Sequence, residues 1–436
     1  MVERVERVEP AEPTGAEIYA LCQELYPICR SITGDGVRRT LQIVARAAGA
    51  LDVREIPSGS AACDWTVPDE WNIRDAYVAD AAGRRVIDFH RSNLHVVSYS
   101  VPVRARMPLA ELLPHLHALP DHPDWIPYRT SYYDRAWGFC LAQRELDALA
   151  DGEYEVCVDS TLAPGHLSYG ELVLPGESDD EILISSHVCH PSLADDNLSG
   201  IAVSALLARH LAALPRRRYT MRFLYAPGTI GALTWLQQNR ATAARIKHGL
   251  TLTCLGDAAP FTYKRTVGGA TEIDRAAAQV LARSGLPHQV IDFFPYGYDE
   301  RQFNAPGFRL PVGSLMRGRH GRFPEYHTSA DNLDFVSAER LAESWRLLAR
   351  IVGLLQGNRR YRNLAPYGEP QLGRRGLYRA MGGTDIPDLQ MAMLWVLNLS
   401  DGSHALLDVA ERSGIDFAAI RAAATLLEQH GLLEPA

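Results

Sequence analysis

Between Tyr169 and Phe294 the chain switches repeatedly between two hydrophobic periods, and this alternation limits the fold more than any other feature. "YGELVLPG", "EILISSH", "YTMRFLYAP", "KHGLTLTCLGD" and "PHQVIDFF" are short, apolar, β-prone runs. "SGIAVSALLARHLAAL", "IGALTWLQQN" and "TEIDRAAAQVLARSG" stand between them with apolar residues at helical spacing. Strands alternating with such helices predict an α/β layered domain with a largely parallel sheet. Ligands of these sheets bind beyond the carboxyl ends of the strands. His187 closes one strand and Asp257 is expected to close another, which places both at that edge.

The flanks have a different texture. Residues 16–49 read as helix, loop and helix, broken at "TGDG" and ending at Gly49. From about 60 to 158 the segments "RRVIDF", "LHVVSYSVPV", "WGFCLA" and "EYEVCVDS" are short, β-prone and separated by Pro, Gly and Asp. "LAELLPHLHAL" is the one helical stretch expected among them. The polar-aromatic run "PDWIPYRTSYYDRAWGF" reads either as a binding loop or as a rim packed against its neighbour. After about 360, "YRNLAPYGEPQLGRRG" reads as a turn-rich linker, and three short helices follow, as in a winged-helix unit. The expected organisation is an α/β domain formed by 16–60 and 159–358, a mostly β domain inserted at 61–158, and a winged-helix-like domain at 370–436. The opening "MVERVERVEPAEPTG" lacks the apolar region of a secretory signal and is expected to be a mobile lead-in.

Charge narrows the partners. The net charge is −8, and from residue 371 onward five arginines face eight acidic residues. A phosphate-contacting surface needs clustered Lys and Arg. The expected partner is therefore a small molecule, not nucleic acid, and self-association is left open. No window approaches the ~18 uninterrupted apolar residues of a membrane span. The seven cysteines include no CxxC pair, which fits reduced thiols in a cytoplasmic protein.

The chemistry concentrates in "SSHVCHPSLADDNLSG", residues 185–200. His187 ends a strand, and Asp196 lies just before a helix. Asp, Asn and Ser before a helix ordinarily cap it. A strand-end histidine followed by Asp-Asp-Asn exceeds what capping requires, and imidazole with carboxylate is a zinc donor set. Asp257 and His327, the latter in "FPEYHTSADNLDF", would complete the set.

"EILISSHVCHPSLADDNLSGIAV", "YTMRFLYAPGTIGALTWL", "LTCLGD" and "EYHTSADNLDF", over about 168–355, resemble the zinc aminopeptidases of the co-catalytic two-zinc type. With "LYPICRSITGDGVRRTL", "WNIRDAYV", "SNLHVVSYS", "LPVGSLMRG" and the helical tail, nearly the whole chain resembles the bacterial aminopeptidase-like family, which has an inserted β domain and a C-terminal winged helix. The resemblance implies an aminopeptidase-like α/β/α sandwich with a mixed, largely parallel sheet. It makes His187 the first-zinc histidine, Asp196 the bridging aspartate, Asp257 the carboxylate of the first zinc and His327 the histidine of the second. The chain departs from the pattern twice. Where the two-zinc enzymes carry a Glu pair after the strand, this chain has Gly228, Thr229 and Ile230. Where they carry an Asp that orients the first histidine, it has Cys189.

One zinc per chain is the expectation, on His187 and Asp196 with His327 or Asp257 as third ligand; a second zinc is left open. Glu300 or Asp299, ahead of Glu325, are the candidates to replace the missing base. Arg317, Arg319 and Arg322 either hold a substrate carboxylate or phosphate or form a solvated loop. Cys189 and His190 are set aside as a nucleophile pair, because adjacent residues on one loop rarely present an activated pair. The implied activity is hydrolysis of a small amide or aminoacyl conjugate through a metal-bound water. The alternatives are a cyclising or amide-forming enzyme, as the related single-zinc glutaminyl cyclases suggest, or a non-catalytic binding protein on a peptidase-like core.

Overall fold

The computed structural model describes residues 11–377 and 388–436. The first ten residues of the expected lead-in lie outside the description. The chain divides into two compact units, Met1–Asp274 with Leu286–Arg346, and Arg275–Gly285 with Leu347–Ala436.

The first unit is organised by one eight-stranded sheet. Its strands are β1 (Asp52–Pro57), β2 (His166–Leu174), β3 (Ser178–His187), β4 (Tyr219–Ala226), β5 (Ile246–Leu252), β6 (Phe261–Lys264), β7 (His288–Ile291) and β8 (Val312–Met316). They lie in the order β1-β2-β4-β3-β5-β8-β6-β7. The centre is parallel, β4 with β3, β3 with β5 and β5 with β8. Antiparallel pairing enters at β1–β2, β2–β4 and β6–β8. β3 is buried without interruption from Glu181 to His187. A parallel strand covered on both faces reads as such a continuous apolar run. Helices α1 (Gly15–Leu25), α2 (Asp35–Ala48) and α3 (Gly200–Ala213) belong to the covering layers. Gly170 in β2 permits a close approach, since a Cβ there would sit 2.6 Å from Leu51 Cδ2 and 3.0 Å from Leu41 Cδ2.

The region between β1 and β2 folds mainly as a four-stranded antiparallel sheet. Its order is Arg85–Asp88, Glu70–Ala79, Glu153–Ala163, Val103–Pro108. The helix expected in "LAELLPHLHAL" shrinks to Leu109–Leu112, followed by a single tight turn at Leu113–His115. Pro114 has no N–H to continue the ladder.

Two further expectations need correction. "KHGLTLTCLGD" does not run as a strand to Asp257: β5 stops at Leu252, and Cys254 takes a positive φ of 48° while its N–H donates to Asp195 O. The "YRNLAPYG" linker begins as a strand. In the second unit Arg360–Asn363 is the middle strand of a three-stranded antiparallel sheet, flanked by Asp401–Ala405 and Leu433–Pro435. Only Tyr361 of its four residues is buried, too little alternation to mark a strand. Helices Asp388–Leu399, Leu406–Ser413 and Phe417–Gln429 complete the winged-helix unit. Among the described residues no helix is long and apolar enough to cross a membrane.

Candidate metal centre

Three imidazoles surround one buried carboxylate at the carboxyl edge of the parallel strands. His187, the last residue of β3, places Nε2 2.9 Å from Asp196 Oδ1. His327 Nε2 lies 3.0 Å from Asp196 Oδ2. His190 Nδ1 lies 3.8 Å from the same oxygen. Ligand atoms of His187, His190 and Asp196 all fall within 4.8 Å of one another, and all three residues are buried. Asp196 is fully buried. Burial opposes its ionisation, but the surrounding His190, His187 and His327 outweigh that and hold it well below the usual carboxylate range. Burial also lowers His190 well below its usual range, which for an imidazole favours the neutral form. Its Nδ1 is a buried polar atom with no hydrogen-bond partner. A neutral, unpartnered imidazole nitrogen beside an ionised carboxylate is what a divalent cation requires.

The backbone supports this arrangement from behind. Asp331 accepts the N–H groups of Asp195 (2.6 Å) and Asp196 (3.0 Å). Burial raises the Asp331 carboxyl to about 7. Asn197 Nδ2 lies 3.3 Å from His187 Nδ1, in the orienting place that Cys189 was expected to fill weakly. Cys189 instead accepts from Gly228 N and touches the Tyr298 hydroxyl. Arg30, from the "RSITGDG" loop, donates through Nε to His190 O at 3.0 Å.

Aromatic rings wall the centre. Tyr298 lies 3.9 Å from the His187 ring, and Tyr326 stacks on His327 at 3.9 Å. Tyr128 meets His190 and His327 edge-on at 5.1 and 5.2 Å. It comes from the "PDWIPYRTSYY" run, which is tied to the His327 loop. Tyr128 N donates to His327 O, Ser329 N to Ile126 O, and Ile126 N to Ser329 Oγ.

The structure brings His187, Asp196 and His327 together and leaves Asp257 out. Asp257 accepts from Gly318 N (2.8 Å) and Ala259 N (2.6 Å) and hydrogen-bonds the Asp195 carboxyl. Burial and the neighbouring Asp257 charge raise Asp195 well above its usual range. The residue that reaches Asp196 from the end of β5 is Thr253, whose Oγ1 donates to Oδ1 at 3.2 Å. Sequence reasoning missed Thr253, and it weighed His190 only as a nucleophile's partner. The signal for His190 was its three-residue spacing from His187.

The base candidates also separate. Glu300 is fully buried and paired with buried Lys264, while it also accepts Tyr298 N. Asp299 accepts Thr229 N at 2.7 Å, and burial raises its carboxyl to about 6 despite His187 nearby. Glu325 is half-buried beside the His327 loop and has no side-chain bond among the described residues. The space of the missing Glu pair is filled: a Cβ at Gly228 would fall 2.1 Å from Tyr298 Oη.

With this geometry in hand, comparison with known proteins is informative. The profile described as "Domain of unknown function (DUF4910)" matches residues 19–358. The chain belongs to the DUF4910 family. A winged helix-turn-helix profile matches residues 359–435. A Clostridium acetobutylicum relative, 50% identical over 428 residues and 98% of each chain, is named as a candidate polysaccharide biosynthesis protein with an aminopeptidase-like domain. A crystal structure of a candidate peptidase from Clostridium acetobutylicum superposes with a TM-score of 0.92, at 49% identity, covering 97% of this chain and 96% of that one. A zinc aminopeptidase from Bacillus subtilis shares the fold at a TM-score of 0.57 and 14% identity, covering 79% of this chain and 95% of that one. The expected fold, an aminopeptidase-like α/β core with a C-terminal winged helix, is therefore the fold of this DUF4910 protein.

Proposed function

We propose that the protein is a zinc-dependent hydrolase of a small amide or aminoacyl conjugate. The observation that carries this reading is the buried Asp196 carboxylate ringed by His187, His190 and His327, with His190 Nδ1 left unpartnered. His187, His190 and Asp196 would hold one zinc, with His327 bearing on the far oxygen of Asp196. Imidazole and carboxylate at a strand edge, on rigid elements, suit that ion. A zinc bound there supplies Lewis acidity, which polarises a carbonyl and lowers the pKa of water.

The chain's own groups do the rest. Asp299 takes the proton of the attacking water and returns it to the leaving amine, the work of the absent Glu pair. Tyr128, Tyr298 and Tyr326 wall the centre against bulk water, which suits a compact substrate. The relative named for polysaccharide biosynthesis favours a biosynthetic intermediate over a general peptide.

Metal analysis and product mass test the proposal. Wild-type protein and Asp257→Ala should each carry about one zinc per chain, and His187→Ala and His190→Ala should lose most of it. Incubation with a panel of aminoacyl and acylamino conjugates should yield products heavier in total by one water. Loss of water or ammonia would indicate cyclisation instead. Tight zinc without turnover of any conjugate would leave a binding protein and overturn the hydrolase reading.

A further inference from the structure

Past β8 the loop "RGRHGRF" carries cationic groups that the metal centre does not use. Arg319, His320 and Arg322 line a small pocket with Lys264, Phe294 and Tyr296. Some cations there are already satisfied. Lys264 Nζ pairs with Glu300 and donates to the carbonyls of Phe294 and Tyr296. Neighbouring Arg317 is held by Glu343, Ser344 Oγ and Ala259 O.

Arg319 and Arg322 differ. Among the described residues neither guanidinium has a carboxylate or carbonyl partner. Arg319 lies over the Phe294 ring at 5.6 Å. The recorded bond of Arg322 is its backbone N–H to Arg319 O at 2.9 Å, which closes a turn completed by Gly321 at a φ of 62°. Between them His320 is only 7% exposed, and its Nε2 has no hydrogen-bond partner. A chain with 52 acidic and 44 basic residues does not lack carboxylates to offer two arginines. Guanidiniums free of internal partners are the donors that bind carboxylate or phosphate, and the buried ring nitrogen beneath them is a further polar atom without a partner.

The position of the pocket gives it meaning. The His320 ring stacks on Tyr298, centroids 5.9 Å apart and planes 4° apart, and Tyr298 in turn touches His187. On another side His320 meets Tyr326 edge-on at 6.2 Å, and Tyr326 stacks on His327. We infer that Arg319 and Arg322 form a surface anion subsite for a carboxylate or phosphate carried by the substrate, above the unpartnered His320 Nε2 and one aromatic ring away from the candidate metal centre. Its role in substrate choice rests on the hydrolase reading; the binding itself does not. The subsite selects amides that bear a negative charge and discriminates against neutral ones.

The test is calorimetric titration of the full chain, as purified and after chelation, with inorganic phosphate and separately with malonate at low ionic strength. One of the two should bind saturably at one site per chain, before and after chelation. The one that binds identifies the anion as phosphate-like or carboxylate-like. Arg319→Ala and Arg322→Ala should each weaken it about 10-fold, Arg322→Lys less, and exposed Arg216→Ala not at all. Arg322 is exposed, so its variants leave the fold intact. Binding of neither anion, or binding unchanged in the Arg319→Ala, Arg322→Ala double variant, overturns the subsite. Zinc measured on the same samples separates the two ideas. A protein that holds zinc but no anion loses only the subsite, and one that binds the anion but no zinc loses the hydrolase reading.

Discussion

Asp299 and Glu300 are neighbours with opposite fates, and the difference decides what each substitution does. Glu300 is neutralised by Lys264, both buried to within 1% of complete. Asp299 has no ion-pair partner among the described residues and keeps one oxygen free of Thr229 N. Asp299→Asn should lower turnover by roughly 10²–10⁴-fold with zinc content unchanged, the signature of a lost proton shuttle. Glu300→Gln should instead lower stability by about 3–5 kcal/mol, because it strands a buried ammonium. Thermal melts and single-turnover rates of the two variants separate these outcomes. From sequence the pair was ambiguous, since nothing local distinguishes a carboxylate aimed at Lys264 from one aimed at a backbone N–H. His187, Asp196 and His327 were legible because a strand end, a helix start and a His-Thr motif fix their places. Asp257 misled because β5 ends five residues earlier than its apolar run implies, which hands the strand-end contact to Thr253.

At the scale of elements, Arg38 and Glu70 join three segments that the chain keeps apart. Arg38 lies in α2 and grips both oxygens of Glu70 at 2.8 and 2.6 Å, while His166 N, at the start of β2, donates to the same carboxylate. The Arg38 bond leads the influences that lower Glu70 from an ordinary 4.5 to about 2. A depressed carboxylate stabilises the fold above its unfolded pKa, and that contribution is lost as pH falls through the folded one. The window is therefore pH 4.5 down to about 2. Glu70→Gln should cost about 1–2 kcal/mol at neutral pH, a value reduced by partial solvent screening. It should also flatten the fall of melting temperature between pH 5 and 2.5, and a wild-type acid limb unchanged in the variant would contradict the assignment. The central strands of this scaffold were readable because both faces are covered and their apolar runs are unbroken. Arg360–Asn363 was not, because a four-residue strand with one buried side chain carries almost no period.

At the scale of the whole molecule, the second unit has the winged-helix shape of a nucleic-acid reader, but its last helix lacks a reader's charge. In winged helices a helix enters the major groove while phosphate contacts supply most of the affinity. Here the last helix, Phe417–Gln429, has a single basic residue, Arg421, and an acidic one, Glu428. Arg421 also lines a pocket within the same unit with Arg350, Gln279 and Asp416, and it does not stand alone on an open face. A helix of this composition cannot release the counterions that drive duplex binding, so shape alone would have to provide the affinity. The expected outcome is no retardation of duplex DNA by the full chain in a gel shift at 150 mM salt. Any complex seen at 20 mM should vanish on raising the salt, as weak non-specific contacts do. A shift that persists at 150 mM and discriminates among sequences would show that the unit reads DNA despite the single basic residue of its last helix. It would also tie the amide chemistry proposed for the first unit to gene control.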